Sequence, residues 1–382
     1  MKRLLEGAAL AAALSLGGAG GGTAAAEVKI GMITTLSGPG GHLGVEVRDA
    51  FALALKQSGR TDIELIVKDD ALKPDLGKQI SDEMIQKDKV DILTGIIFSN
   101  VAMAVVPAAV KQGVFYLSPN AGPSALAGAG CDPNYFNVAW QNNDLHAAMG
   151  AYMKREGLKA PFILAPNYPA GTDALTGFKS GYGATPAAEI YTQVGQTDYA
   201  AEIAQIRASG ADSVFFFLPG GMGIAFMKQY AGAGVGIPVY GPAFSFDEII
   251  LGAVGDAALG VKNTSQWAYD LDNAANKAFV ESYRAEYGRT PTLYASQGFD
   301  TANLILSALA KADVKDQDAF RSALEAADFA SVRGAFRFGP NHHPIQNIYV
   351  REVVAGDGKP TNKLVGLAEE NHQDAFAAEC KM

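Results

Sequence analysis

The residues best placed to do chemistry sit in four short turns, each after an apolar run and before a helical one. They are Thr35-Leu36-Ser37-Gly38-Pro39-Gly40-Gly41-His42, Phe98-Ser99-Asn100, Ser118-Pro119-Asn120-Ala121-Gly122 and Pro219-Gly220-Gly221. Such turns gather unpaired backbone N–H groups and the positive end of a helix dipole at one point. That suits a carboxylate or a neutral polar group. Capping alone also accounts for Ser99 or Asn100, so a binding role requires several of these turns to converge on one face.

Signatures of catalysis are poor. No G-x-x-x-x-G-K-[ST] segment occurs, and Gly221-Met222-Gly223 is followed by Phe226 where the third glycine of a dinucleotide fingerprint belongs. Ser296, in Tyr294-Ala295-Ser296-Gln297-Gly298, lacks the first glycine of a nucleophile elbow. Asp69-Asp70 close a strand and read as solvated or capping carboxylates before they read as an acid–base pair. There is no C-x-x-C or H-E-x-x-H, and His342-His343 are adjacent in a turn, so neither a metal nor a cofactor is expected.

A chain of 382 residues with 48% apolar and 19% charged composition is a soluble globular protein. At roughly 150 residues per domain it holds about two domains. Its net charge of −9 argues against a general binder of nucleic acid or anionic membrane. It does not argue against a small anion, which local donors capture whatever the global charge. Lys2-Arg3, the apolar run through Leu16 and Thr23-Ala24-Ala25-Ala26 read as a signal peptide over 1–26, cut before Glu27. Beyond it no 18-residue apolar run is free of charge, so no stable membrane insertion is expected. Export places Cys131 and Cys380 in an oxidising compartment, where an even count suggests one disulfide. Chain-entropy models give such a bond roughly 4–5 kcal/mol. Two buried free thiols are the alternative.

The elements that position the turns alternate. Strands are predicted at 28–33, 63–67, 92–97 and 114–117, with helices at 45–58, 74–87 and 100–112 between them. The pattern restarts with helices at 145–156, 172–180, 199–208 and 222–233 and strands at 162–165, 188–191, 213–218 and 239–240. Helices at 274–287, 294–310 and 318–326 and a strand at 348–354 follow. This is α/β, two parallel βαβ sets forming two similar lobes. Tyr135 to Asn142 reads as an extended strand joining them, with no Gly/Ser tether.

The segment Val28-Lys29-Ile30-Gly31-Met32-Ile33-Thr34-Thr35-Leu36-Ser37-Gly38-Pro39-Gly40-Gly41-His42-Leu43-Gly44, with Arg48-Asp49-Ala50 after it, resembles the start of the substrate-binding proteins of ABC importers, branched-chain amino-acid class. Ser118-Pro119-Asn120-Ala121, Thr197-Asp198-Tyr199 and Tyr283-Arg284-Ala285-Glu286-Tyr287-Gly288 fit the same class, and the likeness spans 27–382. The resemblance implies a type I periplasmic binding fold, two lobes joined by three crossovers and closing on a ligand. The implied boundaries are 27–139 plus 268–336 for the N-terminal lobe and 140–267 plus 337–382 for the C-terminal one. Hinges are expected near Ala139-Trp140, Trp267-Ala268 and Arg337-Phe338.

In amino-acid binders of this class, a small residue and then a Thr or Ser grip the α-carboxylate and ammonium. Here Asn120 and Gly122 stand at those places. An acid in the second lobe neutralises the ammonium, and here Gly221 stands at its place. A buried ammonium without a counter-charge costs several kcal/mol, so an α-amino acid fits poorly. Ser118 to Ser124, Cys131-Asp132-Pro133-Asn134-Tyr135-Phe136, Trp140 to Asp144 and the closing Cys380-Lys381-Met382 resemble the branch that takes up benzoate- or cinnamate-type acids. Ser99, Asn100, Ala121 and Gly122 are then expected at the carboxylate, and Phe98, Tyr168, Tyr199 and Phe244 around the ring. Phe246 is a further aromatic candidate, and His42 and Leu43 come from the first loop. Glycines 122 and 221 would widen the cleft. Enclosing such a ring contributes roughly 2–4 kcal/mol. The expected protein is a periplasmic monomer that serves ABC permease subunits and does no chemistry. The alternatives are a branched-chain amino acid, amide or short aliphatic acid as ligand, or a sensor role.

Overall fold

Short apolar strands alternate with helices from Val28 onward, and the chain winds them into two sheets. The computed structural model describes residues 28–382, so the signal-peptide expectation lies outside the described residues. The first half runs β1 (Val28–Thr34), α1 (Gly41–Ser58), β2 (Ile63–Asp69), α2 (Pro74–Glu83), β3 (Ile92–Thr94), α3 (Ser99–Val110), β4 (Phe115–Ser118), α4 (Ser124–Ala127) and β5 (Tyr135–Asn137). The second set is α5 (Asp144–Arg155), β6 (Pro161–Pro166), α6 (Pro169–Tyr182), β7 (Ala188–Thr192), α7 (Ala200–Ala208), β8 (Ser213–Phe216), α8 (Gly221–Gly232), β9 (Val239–Pro242), α9 (Glu248–Val254) and β10 (Lys262–Ser265). Three helices follow, α10 (Ala274–Tyr287), α11 (Leu293–Leu309) and α12 (Gln317–Glu325), and then β11 (Arg337–Phe338), β12 (Pro344–Ala355) and β13 (Pro360–His372).

The first sheet is parallel, in the order β2-β1-β3-β4-β5. Its inner strands are buried on both faces, as crossover helices require. Helices α11 and α12 return to this sheet, where Leu304, Ile305, Phe320 and Leu324 join Phe51, Phe115 and Phe136 in one core. The second sheet runs β11-β12-β10-β9-β8-β6-β7, with β13 on β12. Strands β6 to β10 are parallel, and β12 is antiparallel to its neighbours.

The chain passes between the sheets three times, after β5, after β10 and between α12 and β11. Buried polar groups clasp these passages. The Ala139 carbonyl accepts from Arg333 Nη1 at 3.1 Å and from Gln346 Nε2 at 2.7 Å. Arg333 Nε in turn pairs with Asp300 at 2.9 Å, both side chains being buried. At the second passage Trp267 Nε1 donates to Asn276 Oδ1 at 2.7 Å, and Asn276 Nδ2 donates to the carbonyls of Ala268, Tyr269 and Leu271. Cys131 and Cys380 form a disulfide with Cα atoms 5.7 Å apart, which excludes the free-thiol alternative. It fastens the tail after β13 to the loop between α4 and β5 of the first sheet.

Several elements depart from the sequence expectation. Strand ends at Asn137, not Asn142, because Asn137 Oδ1 accepts the N–H groups of Ala139 and Trp140 and turns the chain. Strand β10, Lys-Asn-Thr-Ser, carries no apolar signal. Its interior polar groups are satisfied instead: Asn263 Nδ2 donates to Asn362, and Thr264 Oγ1 to the Leu145 carbonyl. Helix α9 and strand β13 also lie outside the expected elements. The β13 strand packs mostly one face and leaves Val365 and Leu367 exposed.

Candidate functional site

The turns identified in the sequence meet between the two sheets around a nearly closed cavity. Its lining is Leu43, Ile97, Phe98, Ser99, Asn120, Ala121, Trp140, Asn142, His146, Tyr168, Ala170, Phe217, Pro219, Phe244 and Tyr294. The lobes are shut on it. Asn142 Nδ2 reaches Ser99 Oγ at 3.0 Å and Asp173 Oδ2 at 3.1 Å, while Ser124 donates to Asp173 through both N–H and hydroxyl, at 3.0 and 2.6 Å. Across the same cleft Gly221 N–H donates to the Pro39 carbonyl at 3.3 Å. In this closed arrangement the cavity volume is about 20 Å³, room for about one water. Grooves of about 550 to 630 Å³ elsewhere are shallower and lie open on the surface, without a comparable convergence of turns.

The walls are aromatic and continuous. Ring centroids run from Phe98 to Tyr168 (6.4 Å), Tyr168 to Phe217 (6.3 Å, stacked), Phe217 to Phe244 (5.7 Å) and Phe244 to Trp140 (4.2 Å). Tyr294 closes the ring 6.5 Å from Phe244. Burial pushes the Tyr168 and Tyr294 phenols well above their ordinary range, so both stay protonated.

The polar end is built from helix starts. Helix α3 begins at Ser99 after Phe98, which offers no capping side chain. Among the described residues no protein acceptor takes the Ser99 and Asn100 N–H groups. Ser99 Oγ accepts from Asn142, which leaves its own proton free to donate. Helix α6 likewise starts without a side-chain cap after Tyr168, and its Ala170 lines the cavity. Neither a carboxylate nor an ammonium or guanidinium belongs to the lining.

Leu43, Phe98, Ser99, Asn120, Ala121, Tyr168 and Phe244 therefore meet here as the sequence predicts. Others do not. Tyr199 lies in the second lobe's core, edge-on to Phe226, with its hydroxyl donating to the Gln196 carbonyl. Phe246 packs on Phe216 in the same core. The Ala121 and Gly122 N–H groups are already used, by the Ile96 carbonyl and Asn142 Oδ1. Gly122 does not widen the cleft: a Cβ there would lie 2.1 Å from the Trp140 carbonyl. At Gly221 a Cβ would meet Pro39 at 3.3 Å, so glycine there lets the lobes touch. His42 stands against Gly220, a residue at φ +64° that only glycine adopts readily, rather than in the cavity. Asn100 is half-buried and lies outside the lining.

The enzyme candidates are spent on structure. Ser296 Oγ donates to the Leu293 carbonyl inside α11. Asp69 accepts from the Leu36 and Ala71 N–H groups, and Asp70 from Thr35 and Leu72, which shapes the β1–α1 turn.

Ile97, Trp140, Asn142, His146, Ala170, Phe217, Pro219 and Tyr294 complete the lining and lie outside the predicted contacts. Trp140 and Asn142 stand in the segment that resembles aromatic-acid binders, and Phe217 reads as strand core. His146 gave no signal beyond a lone histidine on a helix.

A family model of periplasmic binding proteins matches residues 27–359. The chain belongs to the periplasmic binding protein family. Its members serve ABC transporters as solute-binding proteins rather than enzymes, and the two-lobed architecture is the type I periplasmic binding fold. This periplasmic binding protein is similar to a solute-binding protein of an ABC transporter from Rhodopseudomonas palustris, solved in complex with benzoate. The two share 33% identity over 94% of this chain and 100% of that one, with a TM-score of 0.88. A second, from R. palustris BisB5, was solved with 3,4-dihydroxybenzoic acid, at 30% identity over 91% and 98% of the two chains and a TM-score of 0.83. Among curated proteins, a Leu/Ile/Val-binding protein homolog of Brucella melitensis is 28% identical over 369 residues, 92% of this chain and 94% of the relative.

Proposed function

We propose that this protein captures a small aromatic carboxylate of the benzoate or cinnamate type between its lobes and delivers it to the permease subunits of an ABC importer. One observation carries the reading: an aromatic-walled cavity where uncapped helix starts supply donors and no carboxylate, ammonium or guanidinium lines the wall. A carboxylate finds N–H and hydroxyl donors there. An α-ammonium would be buried without a counter-charge, a cost of several kcal/mol. The benzoate and dihydroxybenzoate complexes of the two similar structures support this choice.

Ser99 and the first amides of α3 would take the carboxylate, and Phe98, Tyr168, Phe244, Trp140 and Phe217 would enclose the ring. Because the two lobes touch across the cavity mouth, Asn142 on Ser99 and Gly221 on Pro39, loading requires the lobes to part. Residues 27–139 plus 268–336 would swing against 140–267 and the strands β12 and β13 about the clasped crossovers, while Phe338 and His342, packed on Phe136, and the tail tied through Cys131–Cys380 stay with the first lobe rather than the second; contacts to both lobes would favour closure. Export through a signal peptide over 1–26, a periplasmic location and a monomeric state belong to the same reading.

The rival ligand is a branched-chain amino acid, favoured by the names of the Brucella relatives. Thermal unfolding of protein stripped of bound ligand, titrated with benzoate, 4-hydroxybenzoate, cinnamate, leucine and valine, separates the two. Aromatic acids should raise the melting temperature further with each increment of concentration. Stabilisation by leucine or valine and by no aromatic acid would reject the proposal.

A further inference from the structure

Within the aromatic wall sits a polar atom without a partner. His146, on α5, lines the cavity, and its ring is surrounded by Phe217 (centroids 5.0 Å apart), Phe244 (5.9 Å) and Phe215 (6.0 Å). Nδ1 lies 2.6 Å from the Asn142 carbonyl. A carbonyl only accepts, so Nδ1 must carry the proton and the tautomer is fixed. Burial, only partly offset by that hydrogen bond, lowers the ring's pKa to about 3, so it is neutral at any ordinary pH. Nε2 is then a lone-pair acceptor, fully buried, with no hydrogen-bond partner among the described residues. A buried acceptor left unpaired costs free energy, and three phenyl rings offer it nothing.

A carboxylate does not satisfy this atom, because two acceptors repel. A donor does, and on a small aromatic acid that donor is a ring hydroxyl. We propose that His146 is a specificity residue that accepts a hydrogen bond from a phenolic hydroxyl of the ligand, so that the site prefers hydroxylated aromatic acids to unsubstituted ones. The inference rests on the aromatic-carboxylate reading of the same cavity. It adds a second polar anchor distinct from the helix starts: Asn142 binds His146 through its carbonyl and Ser99 through its side-chain amide, so the two anchors share one fixed residue. Salicylate is the natural control, because its hydroxyl is engaged by its own carboxylate and has little left to donate.

The test is calorimetric titration of the exported full chain with benzoate and with 2-, 3- and 4-hydroxybenzoate. The readout is the ratio of affinities for hydroxylated over unsubstituted ligand. In the natural protein one or both of the 3- and 4-hydroxy acids should bind at least about tenfold more tightly than benzoate, the size of one well-made hydrogen bond. The 2-hydroxy acid should not. His146→Phe should bring the ratio close to one, and His146→Gln, whose side-chain oxygen accepts, should restore part of it. The ratio in the natural protein should stay level between pH 5 and 8, where the ring is neutral. A natural-protein ratio of one or below would overturn the inference while leaving the aromatic-acid reading standing. So would a ratio unchanged in His146→Phe. Binding of no aromatic acid at all would overturn both. A merely structural role for His146 would weaken every ligand alike and leave the ratio unmoved.

Discussion

Asp247 offers a sharp test of how this structure handles charge. The residue precedes α9, and one carboxyl oxygen caps it, accepting the N–H groups of Ile249 and Ile250 at 3.1 Å each. The other oxygen is buried with no hydrogen-bond partner among the described residues. Burial drives the carboxyl up, the helix amides pull it down, and Glu46 and Glu248 push it up again, to about 7. Arg351 and the Tyr294 phenol feel the same charge. With an ordinary value near 3.8 in the unfolded chain, the folded state keeps a proton that the unfolded state loses between about pH 4 and 7. Stability therefore falls across that window by about 1.4 kcal/mol per pH unit, reaching roughly 4 kcal/mol above pH 7, with no cost below pH 4. Asp247→Asn keeps the capping oxygen and cannot ionise. Urea unfolding of both proteins from pH 4 to 8 should show the variant gaining on the natural protein through the window, with the difference level on either side. A difference that does not change with pH would refute the reasoning. A gain appearing only below pH 4 would mean that the carboxyl is held ionised, and that a counter-charge for an ammonium stands beside the cavity after all.

Three further outcomes follow from the same geometry. Ser99→Ala should weaken aromatic-acid binding by roughly 10- to 100-fold, the worth of one charge-assisted hydrogen bond, with little change in the melting temperature of empty protein; isothermal titration and a thermal scan measure both. Burial works against a charged His372, but hydrogen bonds to Asp144 and Glu369 outweigh it and hold its pKa up at about 10. Its contribution is whole below about pH 6.5 and lost as pH rises through 10, so His372→Gln should lower the melting temperature at pH 6 and much less at pH 10.5. Reduction of Cys131–Cys380 should cost about 2–5 kcal/mol in urea unfolding and leave the ligand panel's order unchanged.

What the sequence made legible was the chemistry that repeats along the chain. Alternating apolar runs and helix starts predict both sheets, and the turns at Phe98-Ser99 and Asn120-Ala121 predict one corner of the cavity. What escaped depended on contacts between distant segments. Tyr199 and Phe244 look alike as aromatics near turns, yet one is core and the other wall, because only Phe244 lies where the two lobes meet. The glycines at 122 and 221 read as empty space and turn out to be places of close backbone approach. Strand β10 hid behind polar residues whose partners lie 99 and 119 positions away.

The covalent link at Cys380 has a practical corollary. Although the last long strand belongs to the second sheet, the chain's final residues are anchored beside β5 of the first. A fluorophore appended after Met382 would ride with the opposite half of the molecule from one attached at exposed Leu259. Energy transfer between the two would then report the swing of the halves directly, turning the carrier into a sensor for its own cargo.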